Sequence, residues 1–234
     1  ANTKTVYYKN PTAQSLILAA ADNAAALATG TLSTTAGPDR LALATSSAFR
    51  SGTCQAVTVN SKDTSGNLAN VLAAVTVDLD DGAASGVFYL ENTCTTVITQ
   101  TPIAANSSVV YYKNAVGESI TLSAADSSAN LSTGTLGVAT GPDHLILSGS
   151  TGFKSGTCQS FTITSKDTSG NTRSVLTDRT FNLSDGAASG DYYSDNTCSG
   201  LITSTQLTNG SSSIVVYYKD NVGESLTLTA AEAT

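Results

Sequence analysis

The chain has no tryptophan and no methionine, only one histidine (His144), and charged residues make up just 12% of its 234 positions. The net charge is −7 and no basic patch occurs, which argues against nucleic acid as a partner. No apolar run approaches the roughly 18 residues that span a bilayer, so direct membrane insertion is not expected. The chain also lacks a signal peptide and an initiating methionine, and we expect it to be part of a longer protein.

The residues that are abundant are Thr, Ser, Ala, Val and Gly. This mixture suits many short strands joined by small polar turns rather than amphipathic helices. The composition therefore predicts an all-β fold, and the length leaves room for two domains of ordinary size.

Four cysteines are present, and the two pairs have equal internal spacing: Cys54 and Cys94 are 40 residues apart, as are Cys158 and Cys198. This symmetry predicts the disulfides Cys54–Cys94 and Cys158–Cys198. Metal binding and free thiols are the alternatives, but a zinc site favours closely spaced cysteines with histidine support. Disulfides imply an oxidising, extracellular location. Closing loops of this size contributes about 4 kcal/mol of stability in the chain-entropy model.

The cysteines belong to a longer internal repeat with a period of about 100 residues, the size of one β-sandwich domain. Several motifs recur: Val-Tyr-Tyr-Lys near the start, middle and end, and Gly-Pro-Asp, Ser-Gly-Thr-Cys-Gln, Lys-Asp-Thr-Ser-Gly-Asn and Asp-Gly-Ala-Ala-Ser-Gly, which each appear twice. Each repeat contains about eight short alternating segments separated by turn residues, which predicts two packed sheets. The alanine-rich residues 18–28 are interpreted as a strand end and connector.

The strand and turn motifs of residues 41–67 resemble the first half of Ig-like repeats in large bacterial surface proteins of the invasin and intimin type. The second half, with its cysteine, its Tyr-Tyr-Lys strand and the Gly-Glu-Ser segment, is similar to repeats of long secreted or surface proteins of predatory and gliding Gram-negative bacteria. The resemblance covers nearly the whole chain. It implies tandem Ig-like β-sandwich domains and a cell-surface setting, without an activity.

The repeat also predicts domain boundaries. Phased on Gly-Pro-Asp, residues 1–36 are the last strands of a preceding, incomplete or strand-exchanged unit, residues 37–140 are one Ig-like domain, and residues 141–234 are a second that lacks its last strand. A second phasing starts each unit at Val-Tyr-Tyr-Lys. Either phasing leaves open strand edges, which invite pairing with another chain. We therefore expect neighbouring copies to be possible partners in a head-to-tail filament.

Candidate metal and catalytic residues are few. His144 aligns with Arg40 of the first repeat, so the shared fold does not require it, and a surface position is expected. Asp78, Asp80 and Asp81 could bind calcium, but only the last is an aspartate in the second repeat, and ordinary turn chemistry is the favoured interpretation. No cofactor or metal is expected, and one histidine cannot supply a catalytic triad to both repeats.

Lysines beside the repeated turns, in Lys62-Asp63 and Lys166-Asp167, raise the alternative of an isopeptide bond assisted by Glu118 or Glu224. Solvated lysines are the simpler interpretation. Neighbouring residues of a strand point to opposite faces, so one of Tyr111 and Tyr112 should enter the core.

These observations together predict a non-enzymatic structural or adhesive segment of a bacterial surface or secreted fibre, stalk or adhesin. The short Gly-Pro-Asp linkers predict an extended rod. The alternative is a carbohydrate-binding accessory module of a secreted enzyme, whose glycan contact would have to use Tyr8, Tyr112 or Tyr192.

Overall fold

The computed structural model describes residues 3–82, 85–186 and 189–233. The alanine pairs at 83–84 and 187–188, inside the repeated Asp-Gly-Ala-Ala-Ser-Gly motif, lie outside this description. The described chain forms β-strands joined by turns and contains no helix, and hence no helix that could cross a bilayer.

The strands, in chain order, are β1 (Gln14–Ala20), β2 (Gly30–Ala36), β3 (Arg40–Ala44), β4 (Ala48–Arg50), β5 (Gln55–Lys62), β6 (Val75–Asp80), β7 (Gly86–Tyr89), β8 (Val97–Ile98), β9 (Gln100–Ile103), β10 (Ser107–Asn114), β11 (Ser119–Asp126), β12 (Gly134–Gly141), β13 (His144–Gly149), β14 (Gln159–Lys166), β15 (Arg179–Ser184), β16 (Gly190–Tyr193), β17 (Leu201–Ile202), β18 (Ser204–Leu207), β19 (Ser213–Asp220) and β20 (Thr229–Glu232).

The chain divides into two compact units. Unit 1 comprises Ala1–Ser46, Cys54–Tyr112 and Ile120–Gly137, and unit 2 comprises Ser47–Thr53, Lys113–Ser119 and Val138–Thr234. The domain boundaries predicted from the repeat remain a prediction.

Unit 1 contains two sheets with a core between them, and a separate hairpin. One sheet has the strand order β3-β5-β10-β7-β8, and the other includes β12-β11-β6-β9. The alternating apolar residues of β5, β6, β10 and β11 are almost completely buried: Val57, Val59, Val77, Val110, Tyr112 and Leu122. The hairpin consists of β1 and β2, paired antiparallel. Residues 21–29 connect them, so the alanine-rich stretch is a strand end and connector, as predicted.

Unit 2 repeats this arrangement with a smaller second sheet. Its sheets have the orders β13-β14-β19-β16-β17 and β18-β15-β20. The register is the same as in unit 1: Val110 pairs with Val57 in one unit, and Val216 pairs with Phe161 in the other. The all-β fold with tandem Ig-like sandwiches, each carrying one internal disulfide, is confirmed. The disulfides are Cys54–Cys94 and Cys158–Cys198.

The second tyrosine of each Tyr-Tyr-Lys segment explains two of the repeated motifs. Tyr112 is buried and donates a hydrogen bond of 2.9 Å to the Oδ2 atom of Asp81. Tyr218 likewise donates a bond of 2.7 Å to Asp185. A Cβ atom added at Gly86 would lie 1.8 Å from the Tyr112 hydroxyl oxygen, so the final glycine of the Asp-Gly-Ala-Ala-Ser-Gly motif makes room for the ring.

The first Tyr-Tyr-Lys copy behaves differently from the other two. Residues 6–10 form no strand, and the side chains of Val6 and Tyr8 are 82% and 61% exposed. Their counterparts Val110 and Tyr112 are fully buried because β10 pairs with β5 and β7. The same sequence therefore forms a core strand only where it pairs with neighbouring strands.

We predict that Gly86→Ala destabilises unit 1 by about 1–3 kcal/mol, because the methyl group cannot fit beside the buried tyrosine. Gly137→Ala is the matched control, since nothing lies within 4 Å of a Cβ atom there. Urea denaturation of both variants measures the difference. Equal stability of the two variants would contradict the packing role of Gly86.

Candidate functional site

The two copies of Asp-Thr-Ser-Gly-Asn, residues 63–67 and 167–171, form tight turns that we call the acceptor turns. In the first, the Asn67 N–H donates to Asp63 Oδ1 at 2.9 Å, and Gly66 adopts a φ of 90°. In the second, the Asn171 N–H donates to Asp167 Oδ1 at 2.8 Å. Both aspartates are almost completely buried, at 2% and 0% exposure. A buried carboxylate is stable only when hydrogen bonds replace its lost water, so each must have further partners.

Those partners come from the segments that follow the Tyr-Tyr-Lys motifs, residues 10–14, 114–118 and 220–224, which we call the docking turns. The first residue of each caps its own turn. The N–H groups of Thr12, Val116 and Val222 donate to side-chain oxygens of Asn10, Asn114 and Asp220 at 3.1, 2.8 and 2.7 Å, respectively. This capping turns the next N–H groups outward, where they can donate to another segment.

A docking turn meets an acceptor turn in each unit through the same two contacts. In unit 1, the Ala13 N–H donates to Asp63 Oδ2 at 3.0 Å, and Ser65 Oγ donates to the Pro11 carbonyl at 3.4 Å. In unit 2, the Gly117 N–H donates to Asp167 Oδ2 at 3.0 Å, and Ser169 Oγ donates to the Ala115 carbonyl at 3.3 Å. The contact is thus made by backbone groups and by the repeated Asp and Ser.

These hydrogen bonds hold the aspartates in their ionised form. The pKa of Asp63 is lowered, chiefly by the Ala13 N–H and then by Asn67, against the opposing effect of burial. For Asp167, burial would raise the pKa, but the bonds from Gly117, Arg173 and Asn171 together outweigh it and lower the pKa well below its usual value. Each contact is therefore a charge-assisted one, stronger than a neutral pair.

A pair of residues differs between the two contacts in a coupled way. In unit 2, Arg173 Nε lies 3.0 Å from Asp167 Oδ2, and a Cβ atom at Gly117 would meet the Arg173 side chain at 2.7 Å. In unit 1, the residue at the Arg173 position is Ala69, and the residue at the Gly117 position is Ala13. The docking turn therefore has a glycine, which leaves space for the arginine, in unit 2. It has an alanine in unit 1, where the arginine is absent.

A serine adds a further contact in unit 2. Ser51 is fully buried, and its Oγ accepts a hydrogen bond of 3.0 Å from the Thr168 N–H of the acceptor turn. The adjoining Gly52 N–H donates to the Asn114 carbonyl of the docking turn at 2.7 Å. Ser51, Gly52 and residues 114–118 therefore form one surface on which the acceptor turn lies.

The third docking turn has the same surface, but it is exposed. The Gly156 N–H donates to the Asp220 carbonyl at 2.6 Å, which repeats the Gly52–Asn114 bond. Ser155 and Gly223, the counterparts of the buried Ser51 and Gly117, are both exposed. Asp220 also keeps a buried Oδ2 atom without a hydrogen-bond partner among the described residues. This surface is the candidate functional site.

The candidate calcium ligands and His144 do not form a shared site within the described residues. His144 is exposed, and its Nδ1 lies 3.2 Å from Asp143 Oδ2. Asp78 accepts a bond from Gln100, Asp80 caps the Gly82 N–H, and Asp81 binds Tyr112, so the three carboxylates face different partners. Within residues 3–82, 85–186 and 189–233, no group of three or more His, Cys, Asp or Glu could hold a metal ion.

The carboxyl groups considered for the isopeptide alternative already have hydrogen-bond partners. Asp63 and Asp167 bind the docking turns, and Lys166 Nζ donates to Thr172 Oγ1 at 3.0 Å. Glu118 accepts a bond of 2.8 Å from Asn114. The isopeptide bond stays an untested alternative, and the contact of these aspartates with the docking turns was not predicted from the sequence. The overlooked signal was that the Asp-containing turn and the Tyr-Tyr-Lys-Asn segment recur together.

Two of the three tyrosines proposed for glycan contact are unavailable. Tyr112 is fully buried and Tyr192 is 5% exposed, so their assignment to an exposed platform was wrong. Burial, with the charge of Asp185, raises the pKa of Tyr192 to about 12. Both rings pack in the cores because β10 and β16 point them inward. As predicted, one member of the Tyr111–Tyr112 pair enters the core, and Tyr8 is the one candidate left exposed.

No family model matches the chain, and no curated protein matches it. Among solved structures, the chain is similar to the Escherichia coli adhesin FdeC, with 16% identity over 86% of this chain and 68% of that chain, at a TM-score of 0.43. It is similar to the Yersinia pseudotuberculosis adhesin InvE at 14% identity, covering 82% of this chain and 57% of that one, with a TM-score of 0.31.

A third similar structure is Escherichia coli alpha-2-macroglobulin, at 12% identity and a TM-score of 0.35, where the match covers 92% of this chain and 24% of that chain. The chain thus spans little more than half of InvE and a quarter of the macroglobulin. These TM-scores are below 0.5, and the functional argument rests on the contacts described above.

We predict that Asp167→Asn opens the contact in unit 2. A neutral amide cannot replace the negative carboxylate to which the Gly117 N–H and the Arg173 guanidinium both bind. Hydrogen exchange of the Gly117 amide should become about tenfold faster or more. Asp191→Asn, at an exposed position of β16, is the matched control. Unchanged exchange in Asp167→Asn would show that the carboxylate does not hold the docking turn.

The same contact should depend on pH. A carboxyl whose pKa is lowered by folding contributes stability above its unfolded pKa, about 3.9 for Asp, and loses that stability as the pH falls toward the folded value. Protection of the Ala13 and Gly117 amides should therefore be constant from pH 7 to 5 and decline below about pH 4. Protection that declines between pH 7 and 5 would contradict this assignment.

Proposed function

We propose that this chain is a non-enzymatic structural or adhesive segment of a bacterial surface or secreted fibre, stalk or adhesin, whose copies join head to tail by strand exchange. The observation that carries the proposal is the docking contact. It occurs once in each unit in the same form, and a third docking surface, formed by Ser155 and residues 220–224, is exposed.

The chemistry of the chain supports a mechanical role. Each sandwich is closed by one disulfide, which limits how far its chain can extend once unfolded. Disulfides form and persist in oxidising compartments, which agrees with a location outside the cytoplasm. The contacts that both units share are backbone hydrogen bonds and buried apolar packing. Such contacts hold segments of the chain together and do not bind a substrate.

Both ends of the chain carry strand sequence that is poorly covered. At one end, Val6, Tyr7 and Tyr8 are exposed, although their counterparts form a core strand. At the other end, β20 is paired with β15 alone among the described strands. Exposed strand edges and apolar residues of this kind are sites at which another chain adds on.

Sedimentation velocity over a range of protein concentrations tests the proposal. We expect the mean mass to rise in steps of one chain, with the frictional ratio increasing as elongated oligomers form. Small-angle scattering on the same samples should give the profile of a rod. A monomer that persists at millimolar concentration would contradict assembly, and a compact oligomer would contradict the head-to-tail arrangement.

A further inference from the structure

Within the described residues, the second sheet of unit 2 has one strand fewer than its counterpart in unit 1. In unit 1, β11 is hydrogen-bonded to β6 on one side and β12 on the other. In unit 2, β20 is the counterpart of β11, and it pairs with β15 alone among the described strands. The free edge of β20 is the position that β12 fills in unit 1.

This missing neighbour changes the burial of the surrounding apolar residues. Leu122 and Ala124 of β11 are fully buried, whereas the corresponding Leu228 and Ala230 are only partly buried. Each residue is of the same type as its counterpart, so the difference comes from what covers it. Within the described residues, the core is therefore less well covered along β20 than along β11.

The uncovered residues line a groove in unit 2, formed by Leu147, Phe153, Phe161, Gly223, Leu226 and Leu228. In β12, which pairs with β11, Val138 and Thr140 are buried, at 4% and 3% exposure. The Thr140 N–H donates to the Glu118 carbonyl at 2.8 Å, and residues 139–141 pair in parallel with β4. A strand that fills the groove should therefore have small or β-branched residues at the positions of Val138 and Thr140.

Among the described strands, β2 resembles β12 in sequence. Residues 29–32 of β2 and its approach read Thr-Gly-Thr-Leu, as do residues 133–136, and Thr34 and Ala36 stand where Val138 and Thr140 stand in β12. All residues of β2 but the last are exposed. A strand whose sequence matches that of the covered strand β12 is therefore exposed to solvent.

The strand that pairs with β2, which is β1, resembles residues 224–230, which overlap the start of β20, and four of the seven residues are identical. Within β1, Leu16, Leu18 and Ala20 match Leu226, Leu228 and Ala230. In the hairpin, Leu16 pairs with Thr34 and Leu18 pairs with Leu32. Residues 226–230 can take over these pairs in the same register, so exchange of β1 for β20 preserves the existing contacts of β2.

We infer that β2 of a second copy enters this groove, antiparallel to β20 and parallel to residues 152–154, while its own β1 is released. The acceptor turn at residues 63–67 of that copy, freed from Ala13, then docks on Gly223, and its Thr64 meets Ser155. This assignment rests on the head-to-tail assembly proposed above and names the segments that perform it.

The exchange breaks the pairs of β1 with β2 and the bonds of the docking turn, Ala13 to Asp63 and Ser65 to Pro11. Residues 226–230 and Gly223 offer equivalents for the strand pairs and for the bond to Asp63. Added are the coverage of Leu147, Leu226 and Leu228 and the contact of Ser155, which has no counterpart in the free hairpin. Burial of apolar surface therefore favours the exchanged form.

A synthetic peptide of residues 27–38 tests the groove directly. Added to the full chain, it should shift the NMR signals of Leu147, Phe153 and Leu228 and block concentration-dependent assembly. A control peptide with Leu32→Asp should bind at least about tenfold more weakly, because a charge would face Leu228. If the peptide fails to bind, or shifts other residues instead, the inference is wrong.

A cysteine cross-link tests the register between copies. Ile17 pairs with Ser33 in the hairpin, so Thr227 of one copy should face Ser33 of the next. A mixture of separately prepared Thr227→Cys and Ser33→Cys chains should give a disulfide-linked dimer, and Ser127→Cys in place of Ser33→Cys should not.

The outcomes separate this inference from the proposed function. Assembly without peptide binding or cross-link would refute the β2 exchange but leave a head-to-tail fibre in place. Peptide binding to a chain that stays monomeric at millimolar concentration would instead refute the assembly, while retaining the preference of the groove for this strand.

Discussion

The structure depends on two buried carboxylates whose negative charge is stabilised by backbone N–H groups from a distant stretch of chain. Asp63 and Asp167 would be costly to bury alone, and the N–H groups of Ala13 and Gly117 supply what water would otherwise provide. An acceptor turn is therefore complete only when a docking turn lies on it. This requirement links segments about 50 residues apart in sequence and explains why the two motifs recur together.

The strands impose a second requirement of the same kind. The Val-Tyr-Tyr-Lys sequence forms a core strand in β10 and β19, where a tyrosine reaches a buried aspartate past a glycine, but not at residues 6–10. β11 pairs with β6 and β12, whereas β20 pairs with β15 alone among the described strands. Each sandwich carries its own disulfide, and we propose that a strand of another copy completes the second sheet of unit 2.

Most of the fold could be predicted from the sequence, and most of the site could not. Alternating residues of β5, β6, β10 and β11 and the equal cysteine spacing indicated strands and disulfides, because these depend on local patterns. The three-residue β4 was missed, since its parallel pairing with β12 has no local signature. The docking contact uses backbone N–H groups, which any residue supplies, so only the paired recurrence of motifs could have indicated it. The buried positions of Tyr112 and Tyr192 depended on which face of each strand meets the core.

The exchange rate of the Gly223 amide, measured by NMR at several protein concentrations, tests the account most directly. The Gly117 amide, already bound to Asp167, serves as the internal reference. The account predicts that Gly223 exchanges freely in dilute protein and becomes protected as concentration rises, approaching the protection of Gly117. Free exchange of Gly223 at every concentration, in samples that nevertheless assemble, would contradict it.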